Sequence, residues 1–267
     1  MSVPVSSAPE VIRLEDAPGA EGEGGGITAH WYRPTISGVR SRVGIVVLPI
    51  QGGDYEVSKH FAEAFAAMGY HALRFERRAE WLVAERPLEE MTSLLERYRQ
   101  DVRAGMTEWL ARPDGPERLG LFGVSMGAGV GAAVAGVDSR IEASVLCIGG
   151  SGLARVLMET ADTEIRLYRD ALAARLGQDL PTLARTLHDV LAPLDPEHDA
   201  RGMNAATTLF ITARFDRVVR WREGLALWRA IGRPRRVILP CGHYSAVVFV
   251  PWIRWLARRW FDRHLLR

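Results

Sequence analysis

Lysine is almost missing from this chain: Lys59 stands alone, and arginine carries the rest of the positive charge. Arginine serves equally well on a solvated surface, so the bias reads as a coding preference before a functional one. Cysteine is scarce too. Cys147 and Cys241 have no C-x-x-C spacing and no ligand cluster around them. This indicates neither a zinc site nor a disulfide framework, and it suits a reducing cytoplasm. Neither charge sign dominates: the net charge is +2, with basic and acidic residues interspersed. There is no basic stripe or acidic tail of the kind that engages nucleic acid. Long apolar runs are absent as well. No stretch reaches the ~18 apolar residues that a bilayer span needs, and Met1 to Ala20 lacks a basic start followed by an apolar core. Neither export nor membrane insertion is expected, and a cytoplasmic location is.

What the chain does have is apolar mass. With 267 residues and 48% apolar content it can bury a substantial core, and one large α/β domain over residues 1–267 fits better than two small ones. Residues 1–8 read as disordered. Short strands are expected at Glu10 to Leu14 and Ile27 to Arg33, around the Gly/Glu-rich turn Pro18 to Gly26. Arg42 to Pro49 contains the run Val-Gly-Ile-Val-Val-Leu, the composition of a central strand buried on both faces. The loop Ile50-Gln-Gly-Gly-Asp54 follows. A helix then carries Phe61, Phe65 and Met68 and stops at Gly69, before a strand from Tyr70 to Phe75. Arg77 to Glu90 has no clear period and reads as a loop over the end of the sheet. Residues 91–111 regain a helical period through Leu94, Leu95, Tyr98, Val102, Met106 and Leu110, and Pro113-Asp-Gly-Pro116 turns the chain. Apolar runs ending at Val124 and at Ile148 complete an alternation of strands and helices. That alternation implies a mainly parallel central sheet with helices on both faces.

Residues 152–205 break the rhythm. No strand-like run occurs there, while leucines from Leu153 to Leu191 suggest two or three amphipathic helices interrupted at Pro181 and Pro193. Such a stretch is either a helical cap that supplies a substrate pocket or an enlarged connection; long insertions in compact domains are often functional, which favours the cap. The sheet resumes at Thr207 to Thr212, followed by Ala-Arg-Phe-Asp216, a helix from about Arg220 to Ile231, a strand Arg236 to Leu239 and the loop Pro240-Cys-Gly-His-Tyr244. A final helix turns Ile253, Leu256 and Trp260 inward and Arg254, Arg258 and Arg263 to water. Its tryptophans and arginines also fit a membrane-surface helix, but core packing with a solvated arginine face accounts for them better.

The chemistry points to one stretch. Apolar residues run into Gly123-Val-Ser-Met-Gly127, and Ala128, Gly129, Gly131, Ala132 and Ala133 follow. A buried strand turning sharply into a tightly packed helix needs this composition, and it leaves Ser125 at a strained bend with its hydroxyl pushed out above the sheet. A serine hydroxyl is a poor nucleophile near neutral pH. It needs a base within hydrogen-bond reach and a carboxylate to orient that base. Of the seven histidines, only His243 sits in a Gly-containing loop straight after a late strand, where it can reach across the carboxyl edge of the sheet. Asp216 follows an apolar strand that ends at the same edge; Asp195 and Asp199 are alternatives for the orienting role, and Asp216 could instead be an ion-pair partner of Arg217 or Arg220.

Acyl transfer also needs donors for an oxyanion, normally the N–H after the nucleophile and one from the loop after the first central strand. Met126 supplies the first. Gln51 is the choice for the second, with Ile50 behind it, because Gly52 and Gly53 let the backbone bend back over the site. Arg77, Arg78, Arg214, Arg217 and Arg220 near the same edge would suit an acidic acyl group, although a solvated arginine surface is the simpler account.

Gly123-Val-Ser-Met-Gly127, Ala213-Arg-Phe-Asp216-Arg-Val-Val219 and Cys241-Gly-His-Tyr244 together resemble the α/β-hydrolase superfamily over about Arg42 to Leu266. Within it the chain is similar to the branch of dienelactone hydrolases and prolyl-oligopeptidase-like carboxylesterases. The loop Leu48-Pro49-Ile50-Gln51 departs from the His-Gly that many members carry, and a serine stands where dienelactone hydrolases proper use cysteine and dehalogenases aspartate. The resemblance implies a serine hydrolase acting on a small-molecule carboxylic ester, with no metal and no cofactor. Acyl transfer, thioester cleavage and peptide cleavage would share the same acyl-enzyme, and a non-catalytic ligand receptor on the same fold is the reading from another class.

Overall fold

Strands and helices alternate here because short, near-continuous apolar runs alternate with helical stripes, and each needs the other to cover it. The structure is a computed structural model that describes residues 8–14, 27–52, 55–77 and 79–267. The expected turn Pro18 to Gly26, together with Gly53, Asp54 and Arg78, lies outside the described residues. The strands are β1 (Glu10–Leu14), β2 (Ile27–Tyr32), β3 (Val43–Leu48), β4 (His71–Phe75), β5 (Arg118–Val124), β6 (Ile141–Cys147), β7 (Thr208–Ala213) and β8 (Arg235–Leu239). They form one sheet in the order β1-β2-β4-β3-β5-β6-β7-β8. β2 pairs antiparallel with β1 and with β4, and every other pairing is parallel.

The central strands are covered on both sides. On β3 every residue is buried; Val46 and Leu48 face one core cluster, Val43, Ile45 and Val47 the other. Helices α1 (Glu56–Ala67) and α9 (Val250–Leu265) build the second layer, where Phe61 stacks 4.3 Å from Phe122 and Phe65 meets Phe261 edge-on. Each such aromatic pair adds about 0.5–1.5 kcal/mol beyond the area it buries. Ile253 and Trp260 of α9 point inward as expected, while Trp252 and Trp255 remain exposed. No helix among the described residues is long and apolar enough to cross a membrane.

The other layer holds α2 (Leu88–Ala111) and α3 (Met126–Val137). The loop expected to run to Glu90 ends earlier, because Glu89 and Glu90 sit in the first turn of α2, where carboxylates oppose the positive end of the helix dipole. The insertion contains four helices rather than two or three: α4 (Leu153–Glu159), α5 (Thr163–Leu176), α6 (Leu180–Leu191) and α7 (Pro196–Ala200). Pro181 does not interrupt a helix. It opens α6, where Asp179 accepts from the N–H of Thr182 at 2.9 Å and the missing proline N–H would have had no helical partner. Pro193 falls in the tight turn of residues 192–194 that follows. α8 (Trp221–Ala230) then connects β7 to β8.

Candidate active site

Ser125 lies between the last residue of β5 and the first of α3, with φ 54° and ψ −120°. A non-glycine residue in that region costs about 1–3 kcal/mol, which the surroundings must supply. The N–H of Ser125 donates to the carbonyl of Cys147 on the neighbouring strand at 2.9 Å, fixing the bend to the sheet. Glycine is required on either side. A Cβ on Gly123 would stand 2.3 Å from the carbonyl oxygen of Gly127, and one on Gly127 would stand 2.6 Å from that of Leu48. The bend thus brings α3 hard against β3 and β5 and lifts the serine hydroxyl off the sheet.

β7 and β8 deliver the other side chains at the same edge. The Ser125 Oγ is 3.0 Å from Nε2 of His243, and Nδ1 of His243 is 2.7 Å from Oδ2 of Asp216. The carboxylate is buried, with its side chain 3% exposed. Its other oxygen, Oδ1, accepts from the N–H groups of Val218 and Val219 at 2.8 and 2.9 Å. Facing an ionised carboxylate, Nδ1 must carry a proton, so Nε2 of the neutral ring is an acceptor aimed at the serine hydroxyl.

The alternatives for the acid are engaged elsewhere. Asp195 accepts from the N–H groups of Gly152 and Leu153, and Asp199 pairs with Arg99. Arg220 pairs with Glu159, not with Asp216. Of the other histidines, His30 bonds Glu76, His71 bonds Trp31 and Ser41, His198 bonds Asp199, the His60 and His264 rings pack against Phe61 and Trp260, and His188 is exposed on α6.

Met126 opens α3, so its N–H belongs to the first turn, where donors lack an intrahelical acceptor and the dipole is positive. Gln51 borders the same cavity as Ser125, its Oε1 buried without a hydrogen-bond partner. Gly52 adopts φ +73°, which turns the loop, and the Arg77 guanidinium reaches the carbonyl of Ile50 at 3.4 Å. Arg77 is not part of a solvated surface: its side chain is 1% exposed and bound to Glu80. Arg214 lies over the Trp221 ring. The cavity of about 390 Å³ in front of Ser125 and His243 is bordered by the carboxylates of Glu80, Asp162 and Glu164 and, among the described residues, by no arginine or lysine. Among the described residues, Arg77, Arg214, Arg217 and Arg220 therefore do not form an acidic-substrate pocket.

One contact had no signal in the sequence. The Tyr244 hydroxyl, next to the imidazole, donates to Asp162 Oδ2 across 82 positions of chain, while Asp162 Oδ1 caps α5 through the Ile165 N–H at 2.9 Å. Burial and that hydrogen bond push the Tyr244 phenol well above its ordinary pKa. Ile165 and Asp162 border the same cavity as Ser125, so the insertion forms part of its wall.

Solved structures with this arrangement of strands and helices include the acylaminoacyl peptidase of Pyrococcus horikoshii, at 18% identity and a TM-score of 0.70; the match covers 98% of this chain and 42% of the peptidase. An acetyl xylan esterase from Paenibacillus sp. R4 matches at 15% identity and a TM-score of 0.66, over 96% of this chain and 89% of its own. A Pyrococcus furiosus esterase matches at 14% and 0.65, over 96% and 92%. The chain has the α/β-hydrolase fold. It spans less than half of the peptidase but nearly the whole of each esterase. No protein-family model and no curated protein matches it by sequence. In an α/β-hydrolase fold the strand-to-helix bend and the loops after the two late strands all open on the carboxyl edge of the sheet, and Ser125, Asp216 and His243 occupy those three places in this chain. No group of His, Cys, Asp and Glu among the described residues could hold a metal ion. Cys147 and Cys241 are free and buried, and burial pushes both thiols above their ordinary range.

Proposed function

We propose that this protein is a serine hydrolase that cleaves a small carboxylic ester through an acyl-enzyme on Ser125. The observation that carries the proposal is the continuous contact from Ser125 Oγ to His243 Nε2 at 3.0 Å and from His243 Nδ1 to Asp216 at 2.7 Å. As Oγ forms its bond to the acyl carbon, Nε2 takes the hydroxyl proton and Asp216 stabilises the imidazolium. The oxyanion that develops is met by the N–H of Met126 and by a donor from the Gln51 loop. The bond to the alcohol then breaks, and the alcohol oxygen takes the proton from Nε2. Water repeats the sequence in reverse: Nε2 accepts its proton, its oxygen bonds the acyl carbon, and Oγ leaves with the proton returned to it. Among the structural relatives, the two esterases match over nearly their full length, which favours an ester over a peptide. The free cysteines suit work in a reducing compartment such as the cytoplasm.

Hydrolysis of short p-nitrophenyl esters by the purified protein tests this. Ser125→Ala is expected to lower kcat by at least about a thousandfold and to abolish labelling by a fluorophosphonate. Activity retained in that variant would refute the role of Ser125.

A further inference from the structure

Ser125 stands at the junction of two cavities, and only one of them touches the base. The larger, about 390 Å³, is bordered by Ser125 and His243 with Phe61, Val247, Val250 and Ile253. The smaller, about 80 Å³, is bordered by Ser125 and Met126 with Trp81, Leu95, Leu157 and Leu191, and His243 is not in its wall. Gln51, Leu82, Ile165 and Val218 border both, so these are two arms of one cleft that part at the nucleophile.

The proton path decides which arm takes which part of an ester. When the carbon–oxygen bond to the alcohol breaks, the leaving oxygen must receive the proton held on Nε2 of His243, so that oxygen and its substituent lie on the imidazole side. The acyl carbon is bonded to Oγ, and its oxygen turns to the Met126 N–H. Its remaining substituent must therefore point away from the imidazole, into the arm that Met126 borders. We infer that the large arm receives the alcohol and the small arm the acyl chain, so that the substrates are esters of a short apolar acid with a bulky, mainly apolar alcohol; this rests on the ester reading above. An apolar cavity of about 150 Å³ holds a benzene ring, so the space of about 80 Å³ takes roughly three or four carbons. Apart from Gln51 at the fork, its walls are mainly leucine, isoleucine, valine, methionine and tryptophan, so a polar group at the far end of the acyl chain would be buried unpaired, which is costly. The insertion sets the limit on chain length, because Val156 and Leu157 on α4 and Leu191 on α6 close that side.

The test is a comparison of kcat/KM for p-nitrophenyl acetate, butyrate and octanoate, and for methyl against naphthyl acetate, in the full chain. Butyrate is expected to exceed octanoate by at least about tenfold, since misfitting methylenes cost about that much or more. Val156, half-buried in the small arm, provides both directions of change. Val156→Ala should raise the octanoate-to-butyrate ratio severalfold, and Val156→Phe should lower the butyrate-to-acetate ratio. Val247, exposed at the large arm, should act on the other half of the substrate: Val247→Phe should change the naphthyl-to-methyl ratio and leave the acyl ratios where they were. Ratios taken on one preparation are insensitive to a fraction that fails to fold. If Val247→Phe moves the acyl ratios and the Val156 variants move the alcohol ratio, the assignment is reversed; if all ratios stay fixed, the arms do not bind the substrate and the inference is overturned. A wild-type protein inert to every ester and to a fluorophosphonate would instead remove the ester reading itself, and this inference with it.

Discussion

Asp216 divides its carboxylate between two tasks, one oxygen holding the imidazole and the other accepting two backbone N–H groups. Replacement by asparagine can satisfy the backbone donors only with its amide oxygen. The amide NH₂ then faces His243 Nδ1, which must become an acceptor, and the ring proton moves to Nε2, where it can no longer take the serine proton. Asp216→Asn is accordingly expected to keep its circular dichroism spectrum and lose roughly 10,000-fold in kcat on a short ester. A variant with more than a tenth of wild-type turnover would mean that Asp216 does not orient the base. Gly127 makes a steric prediction at the same scale. Its Cβ would stand 2.6 Å from a backbone oxygen that no rotamer change can move, so Gly127→Ala should lose at least about 2 kcal/mol of stability by urea titration. The clash at Gly123 spans only four positions, to Gly127, and so is legible in the GxSxG spacing, whereas the one at Gly127 involves Leu48 on β3 and shows only once the sheet is packed.

At the scale of elements, the insertion is held in place by its own caps. Asp195 accepts from the N–H groups of Gly152 and Leu153 with one oxygen and caps α7 through Glu197 with the other. It thereby ties the first and last helices of the insertion together at one side chain. Asp195→Ala should cost about 1–2 kcal/mol, and because α4 borders the small arm it should also raise KM for short esters more than it lowers kcat. Denaturation midpoints and steady-state kinetics on the same protein check both halves. The stretch was recognisable as helical from its leucine spacing, but the number of helices was not. Pro181 is compatible with a break and with a start, and only the cap at Asp179 distinguishes them. Arg77 differed for a related reason: it reads as a surface charge until its burial against Glu80 and Ile50 is seen.

The whole molecule responds to pH through groups far from the serine. His71 is buried, its Nδ1 accepting from Trp31 Nε1 and its Nε2 donating to the Ser41 carbonyl, both at 3.0 Å. Burial, helped by the Arg33 charge and outweighing the Ser41 bond, lowers its pKa below the ordinary 6.5. A histidine that is harder to protonate when folded binds fewer protons than the unfolded chain in that window, so stability is full above about pH 6.5. It falls as the pH drops from there towards the lower folded value. Asp262 acts in the same direction at lower pH. Burial raises its pKa, but bonds from Arg40 and Tyr70 outweigh this and hold it below the usual carboxylate value, so its contribution persists until the pH falls through that lower value. The urea midpoint should therefore decline from pH 7.5 to pH 5, and His71→Gln should flatten the decline between pH 7 and pH 5. A midpoint independent of pH across that range would contradict it.

By itself the sequence determined the alternation of strands and helices, the bend at Ser125 and the chain order of serine, acid and base. Periodicity, the order of motifs along the chain and, for the bend, the close approach of Gly123 to Gly127 are recorded directly by composition and spacing. Only the tertiary structure decided that Asp216, and not Asp195 or Asp199, meets His243, and that the insertion divides the cleft into unequal arms. Those outcomes depend on groups separated by 27 to 118 positions in the chain, which the twist and packing of the sheet bring together and which no local pattern encodes.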